Sequence, residues 1–92
     1  MNSEQVKRIL DFLEITQQAP SLDGVDALLS AYTQKIAWES MSRIARKAQA
    51  PHFAQARLFP EAFWQSAMSN GTGGTCYESN YAFLSLLKAL GY

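Results

Sequence analysis

An all-α fold is expected from three features of this chain. Apolar residues recur at helical spacing in its first third, helix-start and helix-stop residues bracket segments in its last third, and no stretch reads convincingly as a strand. With 48% apolar and only 17% charged residues, the 92-residue chain has the composition of one small globular domain rather than of a disordered tail.

The elements follow in order. Ser3 is a suitable cap for a first helix running to about Ile15, with Val6, Ile9, Leu10 and Leu13 forming one apolar stripe. Pro20 lies in the break that follows. A second helix starts near Ser21 or Asp23 and carries Val25, Leu28, Leu29, Tyr32 and Ile36 on one face, so it is expected to reach about Trp38. Ser42 to Ala50 has helical character that Pro51 would end, and Gln49 to Phe59 reads as a loop. Pro60 suits the first position of a third helix, where its missing N–H costs nothing, and Glu61 adds favourable charge there. Asn70-Gly71 stops that helix, and Gly71-Thr72-Gly73-Gly74 forms a turn with room for close approach. Thr75 and Glu78 make the pattern of a capping box, so the last helix begins at Cys76 and stops at Gly91. Its apolar face reads Cys76, Phe83, Leu84, Leu87 and Leu90, with Asn80 on the same side.

Charge and cysteine usage exclude several functions. Eight basic residues balance eight acidic ones, so no net field draws the chain to nucleic acid or to an anionic membrane. Arg43 and Arg46-Lys47 read as a solvated face. No apolar run approaches the roughly 20 residues that span a bilayer, and Met1 to Arg8 lacks the apolar core of a signal peptide. A single cysteine allows no intrachain disulfide, which points to the cytoplasm. One cysteine and one histidine make no zinc site of ordinary spacing, so no metal and no bound cofactor are expected. The glycines at 71, 73 and 74 lack the following lysine and preceding strand of a phosphate-binding loop.

Cys76 is the chemically informative residue. At the first position of a helix it meets unpaired N–H groups and the positive end of the helix dipole, both of which favour a thiolate over a thiol. The same N–H groups can stabilise an oxyanion on a carbonyl that the sulfur attacks. Gly73 and Gly74 carry no side chain, so substrate approach from their side is expected. The other reading of a lone cysteine is a small buried hydrophobe, and position alone does not choose between them.

The segment Gly73-Gly74-Thr75-Cys76-Tyr77-Glu78-Ser79-Asn80, followed by an apolar helix ending Leu90-Gly91-Tyr92, resembles the active-site segment of arylamine N-acetyltransferases. The family pattern is Arg-Gly-Gly-x-Cys-x-Glu-x-Asn and then a helix ending Leu-Gly-aromatic. Upstream, Ile36-Ala37-Trp38-Glu39-Ser40 is similar to the family's Val-Pro-Phe-Glu-Asn. The resemblance implies the helical N-terminal domain of a cysteine-protease-like (transglutaminase-like) α+β fold, with residues 1–92 as a single helical domain cut after the nucleophile helix. A β-barrel and an α/β lid would then lie outside it and pack on it. It implies that Cys76 takes an acetyl group from acetyl-CoA as cosubstrate and passes it to an arylamine or hydrazine through a thioester. Gly73 and Gly74 map to the oxyanion turn, and Trp38 and Tyr77 become candidates for the substrate pocket, with Tyr81 and Phe83 as further aromatic neighbours. Thr72 stands where the family has arginine. The family's catalytic histidine and aspartate lie further downstream, so neither role can be carried to a residue here, and turnover by this piece alone is not expected. His52, the one histidine, follows Pro51 in the expected loop and reads as exposed. Two alternatives keep the same helices: an amide synthase using a carrier-bound acyl chain, and a non-catalytic docking module.

Overall fold

The computed structural model describes residues 1–49 and 58–92. Among these residues five helices follow one another: α1 (Ser3–Leu13), α2 (Leu22–Lys35), α3 (Met41–Gln49), α4 (Pro60–Asn70) and α5 (Cys76–Ala89). Among the described residues there is no strand, and the all-α expectation holds for them. The expected loop over Gln49 to Phe59 falls largely on residues 50–57, outside the described ones; Gln49 itself closes α3, while Leu58 and Phe59 are non-helical.

Helix α1 is capped one residue earlier than expected. The Asn2 side chain accepts from the Gln5 N–H, and the Gln5 side chain accepts from the Asn2 N–H, both at 2.8 Å, so a full capping box forms ahead of Ser3. The helix also ends at Leu13, short of Ile15. Glu14 turns left-handed (φ 59°) and the Ile15 N–H reaches back to the Leu10 carbonyl at 3.1 Å, which tucks Ile15 against the core. The stripe Val6, Ile9, Leu10 and Leu13 is buried as a unit.

Helix α2 is capped by Ser21, whose hydroxyl accepts the Gly24 N–H at 2.9 Å. Leu28, Tyr32 and Ile36 are buried, whereas Leu29 faces solvent. The helix stops at Lys35, not near Trp38. Ile36 adopts extended geometry, and residues 37–39 pair with Gly74 instead of continuing the helix. Helix α3, nine residues long, covers the described part of the Ser42 to Ala50 span where helical character was expected, and begins one residue earlier. Its start is held by Glu39, whose carboxylate accepts the Ser42 N–H at 3.3 Å and the Ser42 hydroxyl at 2.9 Å.

Helices α4 and α5 make the centre of the fold. Helix α4 has the expected bounds, with Pro60 at its first position and Gly71 left-handed (φ 67°) at its end. Its Phe63, Trp64 and Ala67 are buried against Ala82 and Leu86 of α5. Ala82 is fully buried in this contact. The indole N–H donates to the Ala82 carbonyl at 3.1 Å, so the buried polar atom is satisfied. Tyr32 packs edge-on to Trp64 at 5.6 Å and against Phe83 at 4.9 Å. Its phenol donates to the Ser79 carbonyl at 3.2 Å and also bonds the Ser79 hydroxyl, which ties α2 to α5. The orientation of α5 differs from the expected one. Glu78, Ala82, Leu86 and Leu90 face inward, Phe83 and Leu87 are half-buried, and Cys76, Asn80 and Leu84 are exposed. The last turn closes as expected at Gly91 (φ 92°), and Tyr92 packs back with its phenol over Gly24. No helix among the described residues is long and apolar enough to cross a membrane.

Candidate active site

Everything around Cys76 is built on the turn before α5. Gly74 sits in a parallel bridge with Trp38: the Gly74 N–H donates to the Ala37 carbonyl at 3.2 Å, and the Glu39 N–H donates to the Gly74 carbonyl at 3.0 Å. This approach is so close that a Cβ on Gly73 would lie 1.8 Å from the Ala37 carbonyl oxygen, and one on Gly74 would lie 2.6 Å from the Phe63 ring. Both glycines are buried. The expected open approach for substrate at Gly73-Gly74 is therefore corrected: the chain's own backbone and the Phe63 ring occupy that space. The Gly74 N–H is also engaged, so an oxyanion donor at this turn would have to come from the first turn of α5.

Thr75 caps α5 in the expected box with Glu78. The Glu78 carboxylate accepts the Thr75 N–H at 3.4 Å and the Thr75 hydroxyl at 3.2 Å. It does much more than close a cap. Glu78 is only 4% exposed and is the one charged residue in the core of the described residues. Its other oxygen accepts the Leu58 N–H at 2.9 Å and pairs with the Arg46 guanidinium at 2.6 Å. Arg46 therefore does not lie on a solvated face, as its sequence context suggested; its side chain is 23% exposed and turned inward. Thr72, at the position where the pattern it resembles has arginine, bonds the Ser66 hydroxyl at 2.6 Å and so is tied to α4. The guanidinium at this turn comes from α3 instead.

The sulfur itself is accessible. Cys76 is a free, exposed thiol at the first position of α5, so the reading as a small buried hydrophobe does not hold. The candidate pocket residues are also open: Trp38 is 72% and Tyr77 82% exposed. Tyr77 lines a groove of about 510 Å³ with Arg43, Leu58, Phe59, Glu78 and Tyr81. Phe59 and Tyr81 meet edge-on across it at 6.3 Å. Trp38 is not one of its walls, and Phe83 belongs to the core stack with Tyr32. His52 lies outside the described residues. Among the described residues no group of three acidic, cysteine or histidine side chains is placed to hold a metal ion.

The start of α5 at Cys76, its cap and the glycine turn were legible in the sequence, whereas Arg46 and the burial of the Glu78 carboxylate were not. The available signal was spacing: Glu39, Ser42 and Arg46 follow i, i+3, i+7, which places them along one side of α3 and its approach. Comparison with known proteins returns no relative: no family model, no curated protein and no solved structure matches the chain.

Proposed function

We propose that this chain carries the nucleophile of an acyltransferase of the arylamine N-acetyltransferase type, with Cys76 as the acyl carrier. The observation that carries the reading is the exposed thiol at the start of α5, on a turn that is pinned from both sides. In the first half-reaction the Cys76 thiolate attacks the carbonyl carbon of acetyl-CoA. The carbonyl oxygen takes up the charge, first-turn N–H groups of α5 stabilise it, and collapse expels the CoA thiolate to leave an acetyl thioester on Cys76. In the second, an arylamine or hydrazine nitrogen attacks that thioester, loses a proton and releases the Cys76 thiolate. Tyr77 and the aromatic groove beside it offer flat apolar surface for such an acceptor.

Proton removal needs a base. The carboxylate in the same helical turn, Glu78, already bonds Arg46, Leu58 and Thr75. Acyl loading from an activated thioester is therefore the half-reaction assigned to these residues, and the base for turnover is left to groups beyond them. An amide synthase would use the same thiol and differ only in its acyl donor. The test is intact-mass analysis after incubation with acetyl-CoA, or with a carrier-bound acyl thioester, for the native chain and its Cys76→Ala variant. One hydroxylamine-labile acetyl group, absent from the variant and acquired faster by the folded than by the urea-unfolded chain, is expected. Loading no faster in the folded chain would overturn the proposal and leave a helical docking module.

A further inference from the structure

Helix α3 is attached differently from the other four. None of its nine residues is buried, and its apolar Met41 and Ile44 are exposed. Isolated helices shorter than about 12–15 residues are marginal in water even with good helix formers, so α3 is helical because of where it is fastened. Its root is fastened to the turn before α5: the Glu39 N–H donates to the Gly74 carbonyl, and the Glu39 carboxylate accepts from the Ser42 N–H and hydroxyl. Further along the helix, Arg46 reaches Glu78 of α5 at 2.6 Å. If that pair parts, Glu78 keeps the Leu58 N–H and the Thr75 cap, and the partly exposed Arg46 is rehydrated. Parting therefore loses the ion pair but orphans no buried polar atom. The core around Trp64, Ala82 and Leu86 contains no residue of α3, so it need not open with it. Arg43, between root and ion pair, lines the aromatic groove opposite residues of α5, namely Tyr77, Glu78 and Tyr81. Movement of α3 thus shifts one side of the groove while the side built on α5 stays.

We propose that α3 is a hinged wall of this groove, rooted at Glu39 and latched by the Arg46–Glu78 ion pair, and that it opens while α1, α2, α4 and α5 stay folded. The proposal holds whether or not Cys76 carries an acyl group. Amide hydrogen exchange, read residue by residue in the native chain, Glu78→Gln and Arg46→Met, tests it. Glutamine keeps an acceptor oxygen for Thr75 and Leu58 and removes only the charge that holds Arg46. In the native chain the amides of residues 45–49 should be protected, but less than those of Ala82 and Leu86. In either variant residues 45–49 are expected to exchange about 10–100 times faster, because a charged hydrogen bond is lost, while Ala82 and Leu86 remain the more protected by at least about 100-fold. In Arg46→Met, whose altered side chain is not a groove wall, the ring resonances of Tyr77 and Tyr81 should shift as Arg43 withdraws. Residues 45–49 as protected in both variants as in the native chain would overturn the latch. Loss of protection at Ala82 and Leu86 together with α3 would overturn the separate opening, and unmoved tyrosine rings beside an opened α3 would overturn the wall. If one variant does not keep its helical circular dichroism, the other decides; if neither does, the pair supports the whole fold and the proposal is refuted.

Discussion

Replacing Gly73 with alanine is the sharpest mechanical test of how the turn before α5 is held. The added Cβ would lie 1.8 Å from the Ala37 carbonyl oxygen and 2.8 Å from its carbon. Neither atom belongs to a side chain that could rotate away, so the segment 37–39 must retreat bodily. Retreat lengthens the two hydrogen bonds that join it to Gly74, now 3.2 and 3.0 Å. Each is worth about 0.5–1.5 kcal/mol net, and more if a buried partner is left unsatisfied. A loss of about 2–4 kcal/mol is expected, against a total stability of about 5–14 kcal/mol for a domain of this size. The midpoint of thermal unfolding, followed by far-ultraviolet circular dichroism, should fall by about 10–20 °C. Gly71→Ala is the control. It has the unfavourable left-handed φ of 67° but no atom within 4 Å of its added Cβ, so it should cost only about 1–2 kcal/mol. A Gly73→Ala chain as stable as the native one, or more stable than Gly71→Ala, would show that the close approach does not support the fold.

Three further outcomes are expected. Trp64→Phe removes the indole donor from the Ala82 carbonyl and leaves a void in the most buried part of the core; urea unfolding should show a loss of about 2–3 kcal/mol. Burial pushes the Tyr32 phenol above its ordinary value of 10.0, with the Ser79 hydrogen bond opposing part of that rise. The folded state thus holds this proton more tightly than the unfolded chain does. The stability it contributes is complete below about pH 10 and is lost as pH rises beyond it, so urea midpoints should fall there and fall less in Tyr32→Phe. Asn2→Ala removes the cap of α1 and should cost about 1 kcal/mol, seen as faster amide exchange in the first turn.

Local signals were legible where local chemistry decides the structure. Pro60 and Asn70-Gly71 fixed both ends of α4, and Thr75 with Glu78 fixed the start of α5, because caps and stops act within one turn. The end of α2 was not legible. Ile36 continues the helical spacing of Leu28 and Tyr32, yet it turns extended because Gly74, far along the chain, offers a backbone partner to the residues after it. The face of α5 was misjudged for a related reason. Counting apolar residues treats a glutamate as outward and favours large side chains, whereas the inward line here runs Glu78, Ala82, Leu86. Its carboxylate is stabilised by a guanidinium 32 residues away, and the backbone carbonyl of its alanine receives the Trp64 indole N–H. The helical character of α3 was legible, but what holds it was not, since capping by Glu39 and the Arg46–Glu78 pair stand in place of a buried stripe.

The two tryptophans give the molecule a pair of optical reporters with separate tasks. Trp64 is 1% exposed, and Trp38 is 72% exposed on the segment bridged to Gly74. The sheltered indole emits at shorter wavelength and follows loss of the core, while the wet one emits further to the red and is open to iodide or acrylamide. Either quencher should therefore diminish the emission of Trp38 while that of Trp64 stays constant. Exposure of the segment bridged to Gly74 and integrity of the core can thus be followed in one spectrum, with no dye attached.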